Sequence, residues 1–217
     1  MMTREAHGFT HIFGERKGPR TVLLLHGTGG DERDLLPLGE FLDADAHILS
    51  PRGNVREGEM ARFFRRLRPG VFDVEDLRAR AEELARFVED ATREYGFEPG
   101  SVWAVGFSNG ANIAASLLLL HPGTVAGAVL LRPMLPVEPE KELDLAGVPV
   151  YVAAGRSDEM IPQDSTEALI HRLQGAGADV TVSWADAGHR FGREELEAAR
   201  EWLLTVRNRG GKYRGGQ

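Results

Sequence analysis

The sequence predicts an α/β fold: a mostly parallel, doubly wound sheet of about seven strands with helices on both faces. Three observations carry that prediction. Short apolar runs rich in Val, Ile and Leu alternate with longer runs of helical periodicity from about residue 20 onward. The chain shows no internal repeat and no linker. Its 217 residues, 42% hydrophobic and 27% charged, suit one substantial core. We therefore expect a single domain over residues 1–206. The segment 207–217 (RNRGGKYRGGQ) has no apolar periodicity and is expected to be a disordered tail.

In chain order, FTHIF at 9–13 reads as an edge strand, and the turn residues at 15–19 lead into the buried-strand pattern Thr21–Leu25. HGTGG follows at 26–30. Asp31 is placed to cap a helix whose apolar positions are Leu35, Leu36, Leu38, Phe41 and Leu42. Residues 46–50 form a short strand closed by Pro51. The next stretch, 51–72, is the least regular. It is too long for an ordinary connection and too rich in aromatics and charge for a linker, which marks it as a functional loop. A long helix begins at Asp73 or Val74 and runs through Tyr95, with Gly96 as its C-cap. Strand 102–107 and helix 109–120 come next. Strands at 127–131, 148–154 and 179–184 and helices at 164–174 and 193–206 complete the pattern. Only residues 132–147 separate two of these strands, too few for a cap domain.

The chemistry is expected at the carboxyl ends of the strands, where open α/β sheets place their ligands. Between strand 102–107 and its helix sits Gly106-Phe107-Ser108-Asn109-Gly110, which matches G-x-S-x-G. Glycine is abundant here, so the pentapeptide alone is weak evidence. A strand before it and a helix after it make Ser108 a candidate nucleophile on a strained turn. Asp158 follows the 148–154 strand and His189 follows the 179–184 strand. The order Ser, Asp, His is that of an α/β-hydrolase triad. His189 would act as general base, and Asp158 would fix its tautomer. Asp186 also precedes His189, and loop position favours Asp158. The N–H groups of Thr28 and Asn109 are the candidate oxyanion donors.

Composition narrows the classes. A net charge of −7 argues against a nucleic-acid partner. The absence of cysteine excludes disulfides, thiolate metal sites and a thiol nucleophile. There is no H-E-x-x-H and no His/carboxylate cluster at ligand spacing, so no metal and no cofactor is expected. The N-terminus lacks a signal-peptide pattern and no apolar run approaches spanning length, which predicts a cytoplasmic protein without membrane insertion. Whether it dimerises is left open.

The stretches LLLHGTGGDERDLLPL, SPRGNVREGEMARFFRR, VGFSNGAN, AAGRSDEMIP and DAGHRF resemble the compact carboxylesterase/phospholipase family of α/β-hydrolases, in particular bacterial esterases related to acyl-protein thioesterases. The resemblance covers nearly all of residues 21–191. It implies an uncapped hydrolase acting on a small-molecule carboxylic ester, with thioester or lysophospholipid hydrolysis as the alternative. A non-catalytic binding protein on the same fold is a third reading, disfavoured because no triad member is missing. Without a cap, segment 51–72 is expected to supply an apolar wall from Met60, Phe63, Phe64 and Phe72. Met134, Leu135, Met160, Ile161 and Phe191 would complete the pocket from other loops. Arg65, Arg66 and Arg68 are expected to be solvated or ion-paired.

Overall fold

The computed structural model describes residues 1–209. Its centre is an eight-stranded sheet. The strands are β1 (Thr3–Ala6), β2 (Phe9–Gly14), β3 (Thr21–Leu25), β4 (His47–Pro51), β9 (Val102–Phe107), β10 (Gly127–Leu131), β11 (Pro149–Gly155) and β12 (Asp179–Ala185). Their spatial order is β1-β2-β4-β3-β9-β10-β11-β12. The β1/β2 and β2/β4 pairs are antiparallel and all the others are parallel.

Parallel strands must be buried on both faces, and here successive residues divide between two cores. Leu23, Leu25, Ala104, Ala128 and Leu130 pack on one side with helices α2 (Val74–Tyr95), α3 (Asn109–Leu120) and α4 (Gln163–Gly175). Val22, Leu24, Val105, Val129 and Leu131 pack on the other with α1 (Leu36–Leu42) and α5 (Arg193–Arg209). Helix α2 has the termini its sequence predicts. The Asp73 carboxylate accepts from the Asp76 N–H, and Gly96 closes the helix at φ 74°.

Four expectations need correction. Residues 9–14 are not the edge of the sheet, whose eight strands agree with the expected count of about seven. The outermost strand is β1, whose TREA sequence carries no apolar signal and is largely exposed. It reverses into β2 through His7 and Gly8, both at positive φ, the geometry of a two-residue hairpin turn. Asp31 caps no helix: its carboxylate accepts from the Arg33 N–H two residues on, and α1 begins only after Leu35. Segment 51–72 is not irregular. It folds as two small hairpins, β5 (Val55–Glu57) with β6 (Met60–Arg62), and β7 (Arg66–Arg68) with β8 (Val71–Phe72). Finally, α5 continues through Arg209, three residues into the expected tail; residues 210–217 lie outside the described residues.

One close approach seats α3 against the sheet. A Cβ on Gly110 would overlap the Leu25 carbonyl oxygen, so only glycine lets the helix start this near β3. Gly175, at the end of α4, has no neighbour within 4 Å of its would-be Cβ and no positive φ. Gly110→Ala should therefore be severely destabilising, whereas Gly175→Ala should be neutral or stabilising by up to about 1 kcal/mol. Thermal unfolding of the two variants against the parent checks the contrast.

Candidate active site

Ser108 stands between β9 and α3 with φ 53° and ψ −112°, a conformation that L-residues rarely adopt. Three features hold it there. The Ser108 N–H donates to the Leu131 carbonyl at 2.9 Å, and the Ser108 carbonyl accepts from Asn112 N–H at 2.9 Å. Gly106 and Gly110 face each other so closely that a Cβ on Gly106 would overlap the Gly110 carbonyl. The serine side chain is thereby presented at the carboxyl edge of the sheet, beside the unpaired N–H groups of the first turn of α3.

His189 Nε2 lies 2.9 Å from Ser108 Oγ, and His189 Nδ1 lies 2.9 Å from Asp158 Oδ2. The Asp158 side chain is 1% exposed and the imidazole 18%. The other oxygen of Asp158 accepts from the N–H groups of Met160 (2.9 Å) and Ile161 (3.1 Å). Three donors thus replace the water that a buried carboxylate loses. A carboxylate can only accept from Nδ1, so neutral His189 carries its proton there and leaves Nε2 free to accept from the serine hydroxyl. Asp186 is turned outward, 94% exposed, with Arg156 at 3.5 Å. The two loops are joined by the Ser157 N–H, which donates to the Ala187 carbonyl at 3.1 Å. The ring of Phe107 lies 5.3 Å from His189 and 5.0 Å from Phe191.

Across the site, HGTGG turns tightly. Gly30 N–H donates to the Gly27 carbonyl with Gly29 at φ 86°, so Thr28 occupies the first corner of a type II turn. The β5–β6 hairpin grips this turn. Gly29 N–H donates to the Ala61 carbonyl at 2.9 Å, and the Arg62 guanidinium donates to Thr28 Oγ1 at 2.6 Å. Buried His26 donates from Nδ1 to the Gly27 carbonyl at 2.7 Å and accepts at Nε2 from the Gly53 N–H at 2.9 Å. Next to the hairpin, the Phe63 N–H donates to Asn109 Oδ1 at 2.7 Å. One segment therefore braces both residues expected to carry oxyanion donors. Arg62 is itself 3% exposed; burial, and then the nearby Arg66, lower its pKa, against the pull of Glu57.

The expected apolar wall is only partly assembled. Met60 and Met160 are exposed, Phe191 lies beside Phe107, and Leu135 is half-buried. Met134 and Ile161 are buried near the loops. Phe63 is buried with its ring 4.7 Å from His26, and Phe64 is fully buried against Phe72 in the core beneath α2 and α3. Phe63 and Phe64 therefore anchor the hairpins rather than face a ligand. Arg65 and Arg66 are ion-paired as expected, with Asp76 and Glu57. Arg68 is exposed at the tip of its hairpin. A surface groove of about 630 Å³ beside α2, lined by Glu82, Arg86, Glu89, Arg93 and His121, includes none of the residues around Ser108. Among the described residues no three His, Asp or Glu side chains are grouped to hold a metal ion, and no helix is long and apolar enough to cross a membrane. Sequence reasoning missed the bracing roles of His26, Arg62 and the Asn109 side chain. It also missed Arg132, whose signal was an arginine ending the apolar run GAVLL.

Burial lowers the pKa of His26, against the opposing hydrogen bond to Gly27; burial likewise lowers that of His11. The unfolded chain takes up protons at the ordinary histidine value of about 6.5, where the folded chain does not. Their contribution to stability is therefore complete above that value and lost as pH falls through it toward the lower folded values. Urea midpoints should drop between about pH 7.5 and pH 5, and drop less in His26→Gln. An equal drop in both proteins would contradict a neutral, buried His26.

Comparisons agree with this architecture. The chain is 47% identical over 192 residues, 88% of its length and 96% of the relative's, to the Bacillus subtilis (strain 168) protein named "Putative hydrolase MhqD". A crystal structure of a Bacillus cereus carboxylesterase superposes with a TM-score of 0.89 at 46% identity, covering 91% of this chain and 94% of the other. A carboxylesterase from Mesorhizobium loti gives a TM-score of 0.82 at 34% identity, covering 87% and 90%. The mostly parallel sheet is that of the α/β-hydrolases, and among the described residues no cap domain interrupts it. The dienelactone hydrolase family model matches residues 71–206, and the chain belongs to that family.

Proposed function

We propose that the protein is a serine carboxylesterase that cleaves short-to-medium acyl or aryl esters through an acyl-enzyme on Ser108. Membership of a hydrolase family and likeness to carboxylesterases make it an ester-hydrolysing enzyme. The observation that carries the finer reading is the relay Ser108 Oγ–His189–Asp158, with 2.9 Å at each link, on a serine held at positive φ.

In this mechanism Ser108 Oγ attacks the ester carbonyl carbon while its proton passes to His189 Nε2. Asp158 stabilises the imidazolium and stays ionised. The negative oxygen of the tetrahedral intermediate is received by the N–H groups of Thr28 and Asn109. Collapse breaks the C–O bond, and His189 returns the proton to the departing alcohol. Water then attacks the acyl-serine, gives its proton to His189, and the acid leaves as Ser108 regains its hydrogen. The exposed Met60 and Met160 and the Phe107–Phe191 pair leave the approach open and partly apolar, which suits acyl or aryl groups of modest size.

Ser108→Ala and His189→Ala should each lower kcat by at least about 10⁴-fold, and the double variant should lose little more, since the residues act as a unit. Asp158→Asn should cost about 10⁴-fold and Asp186→Asn almost nothing. Rates over p-nitrophenyl esters of graded length, with acyl thioesters alongside, read the substrate class. Turnover retained in Ser108→Ala would refute the serine mechanism, and a thioester preference would replace the carboxylester assignment.

A further inference from the structure

Arg132 is the first residue beyond β10, and its side chain is completely buried, 0% exposed. Its backbone has φ 56°, a strained value for a residue with a Cβ. All five of its side-chain N–H donors have acceptors. Nε donates to the Gly188 carbonyl at 2.9 Å, and Nη2 to the Arg190 carbonyl at 2.8 Å. Nη1 donates to the Ala153 carbonyl at 3.2 Å, and the two Nη atoms meet the Glu195 carboxylate at 2.7 and 3.0 Å. Glu195 also accepts from the Gly192 N–H at 2.8 Å. The carbonyls that Nε and Nη2 grip belong to the residues on either side of His189.

We infer that Arg132, backed by Glu195, is a positioning residue for His189: its guanidinium clamps the histidine's two flanking carbonyls and so sets where Nε2 stands relative to Ser108 Oγ. The inference rests on the reading of His189 as general base. Only a planar fork with five fixed donors can reach both carbonyls and still pair with a carboxylate, which a lysine ammonium cannot do. The residue is also well placed to register the histidine against the rest of the site. Its neighbour Leu131 receives the Ser108 N–H, and its own N–H donates to the Ala153 carbonyl at 2.8 Å, on the strand that leads to Asp158. Stability alone is a poor explanation for the pair. A buried ion pair can often be exchanged for apolar residues of similar volume without loss of stability, whereas removing one partner strands a buried charge.

That difference supplies the test. Arg132→Met and Glu195→Met should each lower the melting temperature, and the double variant should recover part of the loss, because no buried charge is left unpaired although the clamped carbonyls lose their donor. The recovered double variant should still show kcat reduced about ten- to a hundredfold, with KM within about twofold of the parent, because a small misplacement of the base slows chemistry without weakening binding. Arg132→Lys, assayed on its folded fraction, should show the same split between kcat and KM; it reads the clamp even where the double variant does not fold. Parent kcat in a folded double variant, or in Arg132→Lys, would overturn the clamp. His189→Ala, measured in parallel, separates the two claims. Inactivity there with a parent-like clamp variant removes only the clamp, whereas parent activity in His189→Ala removes both.

Discussion

The site depends on a backbone that passes through a left-handed corner at Ser108. Such a corner costs free energy for any residue with a Cβ, on the order of 1–3 kcal/mol, and persists only where surrounding contacts over-determine it. Here the contacts are specific. The Ser108 N–H is fixed to the end of β10, and α3 is pressed onto β3 through a contact that only Gly110 permits. The same seat aligns the first turn of α3, with its unpaired N–H groups, beneath the serine. Loosening that seat would move Ser108, the Asn109 N–H and the helix together.

The rest of the site is assembled against this corner by two braces of different character. On one side the short β5–β6 hairpin takes hold of HGTGG through Ala61 and Arg62, while Gly53 holds His26 and the Phe63 N–H holds Asn109. On the other, Arg132 and Glu195 hold the loop that carries His189, and the Ser157–Ala187 bond ties that loop to Asp158. Both braces use buried polar groups that pair mostly with backbone atoms. Such networks favour one arrangement strongly, because a displaced partner would leave a donor or acceptor unsatisfied in the interior. A site without a cap thereby keeps its geometry in short loops.

Much of this was legible in the sequence because reaction chemistry restricts residue type and order. Ser108, Asp158 and His189 each follow a strong strand signal, and α2 announces itself with Asp73 and Gly96. Other parts were hidden for physical reasons. β1 is polar and exposed, so it is specified by hydrogen bonding to β2 rather than by a buried face. The two hairpins of segment 51–72 are too short for periodicity to register. Phe63 and Phe64 read equally well as a pocket wall or as anchors, and only tertiary packing decides between these. Arg132 and Arg62 look like surface charges in one dimension. The partners that draw them into the site, Gly188, Arg190 and Glu195 for Arg132 and Thr28 for Arg62, lie 56 to 63 residues and 34 residues away, and no local pattern encodes those distances.

Ser108 is proposed as the nucleophile, activated by the histidine beside it. The most direct measurement is covalent: treat the protein with a fluorophosphonate, digest it, and locate the adduct by peptide mass. A single stoichiometric adduct on Ser108 is expected, formed in parallel with loss of ester hydrolysis and greatly slowed in His189→Ala. Full inactivation with the label on another residue, or undiminished hydrolysis after Ser108 is fully labelled, would contradict it.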